Sequence, residues 1–280
     1  MKEFEFIVNE KYSGYSLKDF LKSMGVSKEI LTKLKKGLFV NQKPLLNIND
    51  KVNIGDKIKM VLPEDKENPY IKAVKGDLQV LFEDEYFLAV NKKRGVLTHS
   101  SRGNSAISLE ELVCGYFLPR KFTFRAVNRL DRDTEGVVLI AKDEYSASLL
   151  AKEIASGKLK KYYSAVVVGE PKKEHFIIDA PIKRESSNGM KRIVSLDGKP
   201  AKTECFLEER LGGKSKIKIL LHTGRTHQIR VHLSYVGLPL FADSLYGERV
   251  DGESYYLVAN CIEFIHPFTK ELIKISVENK

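Results

Sequence analysis

Tryptophan is absent from the 280-residue chain, and cysteine occurs only three times, at Cys114, Cys205 and Cys261, never as a C-x-x-C pair. Such sparse, distant cysteines support neither a disulfide framework nor a structural zinc site and are expected as reduced thiols in a core. No stretch approaches the roughly eighteen uninterrupted apolar residues of a membrane-spanning helix. The opening MKEFEFIVNEKYSG has neither the apolar centre nor the small-residue cleavage site of a secretory signal, so a soluble, cytoplasmic protein is expected. No glycine-rich phosphate loop follows any candidate strand, which argues against a doubly wound nucleotide-binding fold. Positive charge, by contrast, is plentiful. With 47 Lys and Arg against 37 Asp and Glu, the formal charge is +10. That surplus favours a polyanionic partner, nucleic acid ahead of an anionic membrane.

The length and the 42% hydrophobic content suit two domains. LPEDKENPYIKAVKGD, residues 62 to 77, carries two prolines and mixed charge without periodicity and marks a linker, giving units 1–62 and 78–280 around residues 63–77. In the first unit Leu17, Phe20, Leu21 and Met24 fall at helical spacing after the N-cap candidate Ser16 and before Gly25. Ser27 opens a second helix with Ile30, Leu31 and Leu34 inside, leaving Lys28, Lys33, Lys35 and Lys36 for solvent or phosphate. Short strands joined by Asn- and Gly-containing turns follow. The second unit mixes periods: a hairpin in LQVLFEDEYFLAVNK, a helix in SLEELVCGYFL and a doubly buried strand in GVVLIAK. A helix capped by Asp143 and ended near Gly157 follows, with Leu149, Leu150 and Ile154 on one face. KKYYSAVVVGE is another strand, and KSKIKILL is a half-buried one entered through Gly212 and Gly213. The fold class expected is α+β, with a mixed, mostly antiparallel sheet flanked by helices behind a small N-terminal α/β unit.

The chemistry concentrates in AVNRLDRDTEGVVLIAKD, where Arg129, Asp131, Arg132, Asp133 and Glu135 crowd the mouth of a buried strand. Asp131 and Asp133 form a DxD pair, but other hard ligands are lacking nearby, so no metal is expected. A glycosidase-like pair needs one carboxyl kept protonated, and adjacent arginines oppose that. A turn with Asp side chains bonded to backbone is the plain structural alternative. In TGRTHQIRVHLSYVG a loop enters a helix with Ile229, Leu233 and Val236 as its apolar face. His222, His227 and His232 recur every five residues, about 140° apart on a helix, and cannot converge on one metal. Arg230 lies one turn into this segment, and Tyr162 and Tyr163 stand at the mouth of a strand, where an exposed aromatic can stack on a base.

RLD followed by T-x-G and an aliphatic strand, then K-x-Y-x-A, G-R-T-H-Q-I-R-V-H-L and F-x-H-P, resembles the RluA-type RNA pseudouridine synthases over about residues 78 to 275. Residues 13 to 61 resemble the alpha-L RNA-binding domain, named after ribosomal small-subunit protein four, found in front of several members. The resemblance implies a cofactor-free enzyme that isomerises uridines in structured RNA, ribosomal or transfer. A monomer is expected, and a non-catalytic RNA binder or ribosome-assembly protein is the alternative. It further implies that Asp131 is the reacting carboxylate, that Arg230 ion-pairs with it, and that Tyr163 stacks on the target base and takes the proton from ring carbon five. Arg129 would fill the space left by the flipped nucleotide, with Arg225 and Leu233 binding substrate. The chain departs from the family pattern at Asn128, where many members have His, and at Glu135, where a small residue is usual. It also departs in NKKRG, which lacks a proline, and at Ala242, where Gly is preferred.

Overall fold

The structure, a computed structural model, describes residues 1–34, 37–45, 47–66, 68–101, 106–187 and 189–277. Lys35 and Lys36, assigned above to solvent or phosphate, lie outside these. The chain opens with β1 (Lys2–Ile7), followed by α1 (Leu17–Ser23), α2 (Lys28–Lys33), β2 (Leu38–Val40), β3 (Lys43–Pro44) and β4 (Lys57–Leu62). Ser16 and Ser27 cap the two helices, each accepting from the backbone N–H three residues on, as their positions predict. Four strands form a sheet in the order β1-β4-β2-β3. β1 was not anticipated, because Phe4 is its only buried residue and the alternation is correspondingly faint. The described residues of 63–77 form no helix or strand.

The large unit contributes β5 (Gln79–Glu83), β6 (Phe87–Lys92), α3 (Leu109–Tyr116), β7 (Glu135–Ala141), α4 (Glu144–Ala155) and β8 (Lys160–Val168). Then come β9 (His175–Asp179), β10 (Ile182–Arg184), β11 (Arg192–Val194), β12 (Lys202–Arg210), β13 (Lys214–Leu221), α5 (Gln228–Tyr235), β14 (Leu257–Ile265) and β15 (Leu272–Ser276). Among the described residues the main sheet runs β5-β6-β7-β14-β8-β13-β12-β9, with β15 beside β14. It is mixed and mostly antiparallel, as expected: β14 and β7 make the parallel contact. Gly212 and Gly213 both take positive φ in the β12–β13 turn, the demand of the tight hairpin foreseen there.

Alternation along the strands sends side chains to two apolar layers. Leu88, Val90, Val138 and Ile140 enter one, with Ile217 and Ile219; Phe87, Ala89, Val137 and Leu139 enter the other, with Leu150 of α4 and Phe264. This double coverage is why residues 136–141, GVVLIA, are apolar throughout. Gly136 has φ +118°, and a Cβ there would lie 2.3 Å from the Ala259 carbonyl oxygen, so glycine lets β7 lie against β14.

The two units touch through a third apolar cluster. Phe4 stacks on Phe268 at 5.8 Å and meets Tyr145 edge-on at 4.8 Å, while Tyr86 stacks on Phe268 at 3.8 Å. The Tyr145 hydroxyl and Ser148 Oγ donate to the carbonyls of Met24 and Gly25, both at 2.7 Å. Lys33, exposed to solvent as expected, pairs with Glu144 across this contact. Among the described residues no helix is long and apolar enough to cross a membrane. Cys205 and Cys261 are buried and Cys114 half-buried, all as free thiols.

Candidate active site

The segment carrying Asp131 is fixed from several sides. Asn128 behaves like an extra strand residue: its side-chain N–H donates to the Val137 carbonyl at 3.0 Å and its oxygen accepts from the Leu139 N–H at 2.9 Å. Next, Thr98 Oγ1 donates to the Leu130 carbonyl at 2.8 Å and accepts from the Leu130 N–H at 3.1 Å. Beyond Asp131, the Arg132 carbonyl accepts from the Lys92 ammonium at 3.0 Å and from the Gly95 N–H at 2.9 Å. Lys92 is 1% exposed and also donates to the carbonyls of Lys93 and Val96. Burial pushes its pKa down to about 8, against the pull of Asp133 and Asp131. Both neighbours of Asp131 are therefore tethered, and its carboxylate is one-fifth exposed at the wall of a cavity of about 510 Å³. That volume suits a small-ligand site.

The opposite wall is the segment entering α5. Gln228 ties it down, accepting from Thr223 Oγ1 and the Arg225 N–H and donating to the Lys202 carbonyl and Thr203 Oγ1. Arg230 reaches Asp131 at 3.5 Å through Nη1. Its forked pair of short bonds goes to the fully buried Asp243, Nε to Oδ2 at 2.7 Å and Nη2 to Oδ1 at 2.8 Å. The reason is geometric: Nε and Nη2 face the interior, leaving Nη1 for the cavity. Burial opposes the Arg230 charge, but Asp243 outweighs it and drives the pKa above the usual arginine value. Tyr255 and Tyr246 lie 4.6 and 5.0 Å from the guanidinium carbon. Beside Asp243, Ala242 takes φ +60°, a conformation that costs a non-glycine residue about 1 kcal/mol.

The three histidines separate. His222 bonds Glu204, and His232 is buried between Thr203 and the Ala180 carbonyl. His227 places Nε2 3.9 Å from Asp131 and its Nδ1 2.9 Å from the Tyr246 hydroxyl. Burial lowers the His227 pKa, against the pull of Asp131.

Tyr163 lines the cavity and is 5% exposed, so the exposed aromatic expected at the strand mouth is instead part of the cavity wall. Burial, helped by the Asp131 charge, raises its phenol pKa far above the ordinary value. Arg129 and Arg225 are exposed at the rim, the latter donating from Nε to the Pro200 carbonyl at 3.0 Å. Two expectations need correcting. Leu233 is fully buried in the core and does not line the cavity, because it sits on the inward face of α5. Val236 is 41% exposed, because the helix ends at Tyr235. Asp133 is taken by Arg132 at 3.0 Å, and Glu135 pairs with Arg94 at 3.6 Å. Lys92, His227, Gln228 and Asp243 were not read as parts of the site, although the first three stand inside stretches quoted above and Asp243 follows Ala242.

Residues 86–235 match the family model described as RNA pseudouridylate synthase. An uncharacterized RNA pseudouridine synthase of Bacillus subtilis, YjbO, is 33% identical over 91% of this chain and 92% of its own. The ribosomal large subunit pseudouridine synthase C of Escherichia coli is 30% identical over 94% of this chain and 89% of its own. Among solved structures, the human RNA pseudouridylate synthase domain containing 1 protein superposes with a TM-score of 0.61 at 25% identity, over 72% of this chain and 84% of that one. The chain belongs to the RNA pseudouridine synthase family and isomerises uridine in RNA.

Proposed function

We propose that the cavity receives a uridine flipped out of structured RNA and that Asp131 carries the reaction. The observation behind this reading is the single carboxylate that, among the described residues, lines a cavity otherwise rich in cations, tethered on both sides and in reach of Arg230. In the isomerisation the bond from ring nitrogen one to the sugar breaks, the uracil leaves with the electron pair, turns, and its carbon five bonds to the same anomeric carbon. The proton on carbon five is then lost and ring nitrogen one takes up a proton, so the product is an isomer of the substrate and no oxidant is needed. Both routes open to Asp131, addition to the anomeric carbon or removal of a sugar proton, start from its carboxylate, which faces Arg230 Nη1 at 3.5 Å.

Tyr163 stacks on the base. Its elevated pKa makes it a phenol at neutral pH, so it accepts the carbon-five proton only as it passes its own onward. Arg129 at the rim stands in for the extruded nucleotide, whose unstacking costs a few kcal/mol, and Arg225 meets the backbone. Large-subunit ribosomal RNA is the substrate class we assign, on the strength of the named relatives. Residues 1–62 serve as an alpha-L RNA-binding unit joined through residues 63–77.

Release of tritium from RNA labelled at uracil carbon five tests the central role. Asp131→Asn keeps shape and deletes charge, so turnover is expected to vanish while RNA affinity stays within a few-fold. Substantial turnover by the variant removes Asp131 from the chemistry.

A further inference from the structure

Lys161 stands two residues before Tyr163 on β8, so the two side chains leave the same face of the sheet. It is 7% exposed and lines the cavity that holds Asp131, Tyr163 and Arg230. Its ammonium has no hydrogen-bond or ion-pair partner among the described residues, unlike Lys92 and Arg230, whose donors are directed at carbonyls or at Asp243. The nitrogen sits beneath the loop entering α5, where a Cβ on Gly224 would lie 3.5 Å away. Burial alone depresses its pKa, with no carboxylate acting in the other direction. An uncompensated cation in such a place is costly to the empty protein, and a cavity group is the means by which that cost is recovered.

We infer that Lys161 binds the uracil ring itself and stabilises the negative charge that collects on it when the bond to the sugar breaks. This rests on the pseudouridine synthase reading of the cavity. When the electron pair departs with the base, charge spreads from ring nitrogen one to the adjacent carbonyl oxygens. A donor that is nearly buried beside the stacking tyrosine meets those oxygens, whereas phosphates at the cavity mouth meet the exposed Arg129 and Arg225. The lysine and Asp131 then divide the work, one facing the leaving base and the other the sugar. Donors directed at charge that appears only in the transition state act on rate more than on affinity.

The test compares Lys161→Met and Lys161→Arg with the wild-type chain by single-turnover tritium release, RNA affinity over a salt series, and Tm of the free protein. For Lys161→Met the single-turnover rate is expected to fall about 100-fold or more. Affinity should stay within about two-fold with an unchanged salt slope, and Tm should rise because an unpaired buried charge has gone. Lys161→Arg, which keeps the charge, should recover part of the rate. Weaker binding with a salt slope reduced by about one would mean a phosphate contact and overturn the assignment. So would an unchanged rate, or a lowered Tm accompanying the rate loss, which marks a structural lysine. A wild-type chain that isomerises no uridine would instead sink the reading of the cavity itself.

Discussion

Asp243 accepts four hydrogen bonds, two from Arg230 and two from the backbone N–H groups of Leu245 and Tyr246, at 2.7 to 3.2 Å, while wholly excluded from solvent. Its charge is what allows a guanidinium to remain buried and still present one nitrogen to Asp131. Asp243→Asn keeps the shape but leaves Arg230 without its main counter-charge, a loss of about 3–5 kcal/mol by the usual cost of breaking a buried pair. Urea unfolding should show that loss, and single-turnover rates should fall with it. A variant as stable as wild type would mean that Asp131 alone suffices to hold Arg230. The sequence pointed to Arg230 and Asp131 because both stand in recognisable motifs. It did not reveal the pairing with Asp243, because an isolated Asp in LFADSLYG differs in no local feature from an exposed turn residue. Asn128 is the reverse case: a residue set apart from the usual family pattern at the level of letters becomes, in the structure, the maker of two hydrogen bonds to β7.

The turn from Leu130 to Thr134 is an element in its own right, held by Thr98 from one side and by Lys92 from the other. Three carbonyls surround the Lys92 nitrogen, at 2.7 to 3.1 Å, and only an ammonium has three N–H groups to offer them. As pH rises through about 8 the amine loses a donor and the turn bearing Asp131 loosens, so single-turnover rate is expected to fall above pH 8. Global stability moves the other way. Between about 8 and the ordinary lysine value of 10.5 the unfolded chain binds more protons at this site than the folded one, so this group adds stability as pH rises through that window. A rate profile level to pH 10, or one that Lys92→Met reproduces with wild-type turnover, would exclude the tether. At this scale much was legible: the serine and aspartate caps, the Gly212–Gly213 hairpin and the alternation of Ile217, Ile219 and Leu221 all lie in local pattern. α5 was harder, because Gln228, Arg230 and His232 are polar yet buried, each satisfied by a partner far along the chain. Periodicity sees residue type and cannot see such partners.

At the scale of the molecule, the N-terminal residues do not hang free on a tether. Asp65, in the segment read as a linker, pairs with Arg125 and accepts from the Thr123 N–H, and the Val74 N–H donates to the Glu111 carbonyl. Composition marks this stretch as a linker, and its described residues carry specific bonds to the large unit. Cutting away residues 1–62 would therefore uncover Tyr145, Tyr86, Leu149 and Phe268, and the truncated chain is expected to show a lower Tm and to associate at micromolar concentration, both visible by scanning calorimetry and light scattering. An unchanged Tm and a monodisperse product would show the contact to be dispensable.

Strand order has a further implication for biosynthesis. β14, near the middle of the main sheet, joins β7 to β8, yet it is made after every other strand except β15. Until residues 257–265 emerge from the ribosome, the β5-β6-β7 ribbon and the β8-β13-β12-β9 ribbon have no shared neighbour to align them, and Asp131 on one has no fixed relation to Tyr163 on the other. Pairings of such long sequence separation close slowly. The folding polypeptide is thus expected to gain competence in one late step, when this strand pairs along both its edges.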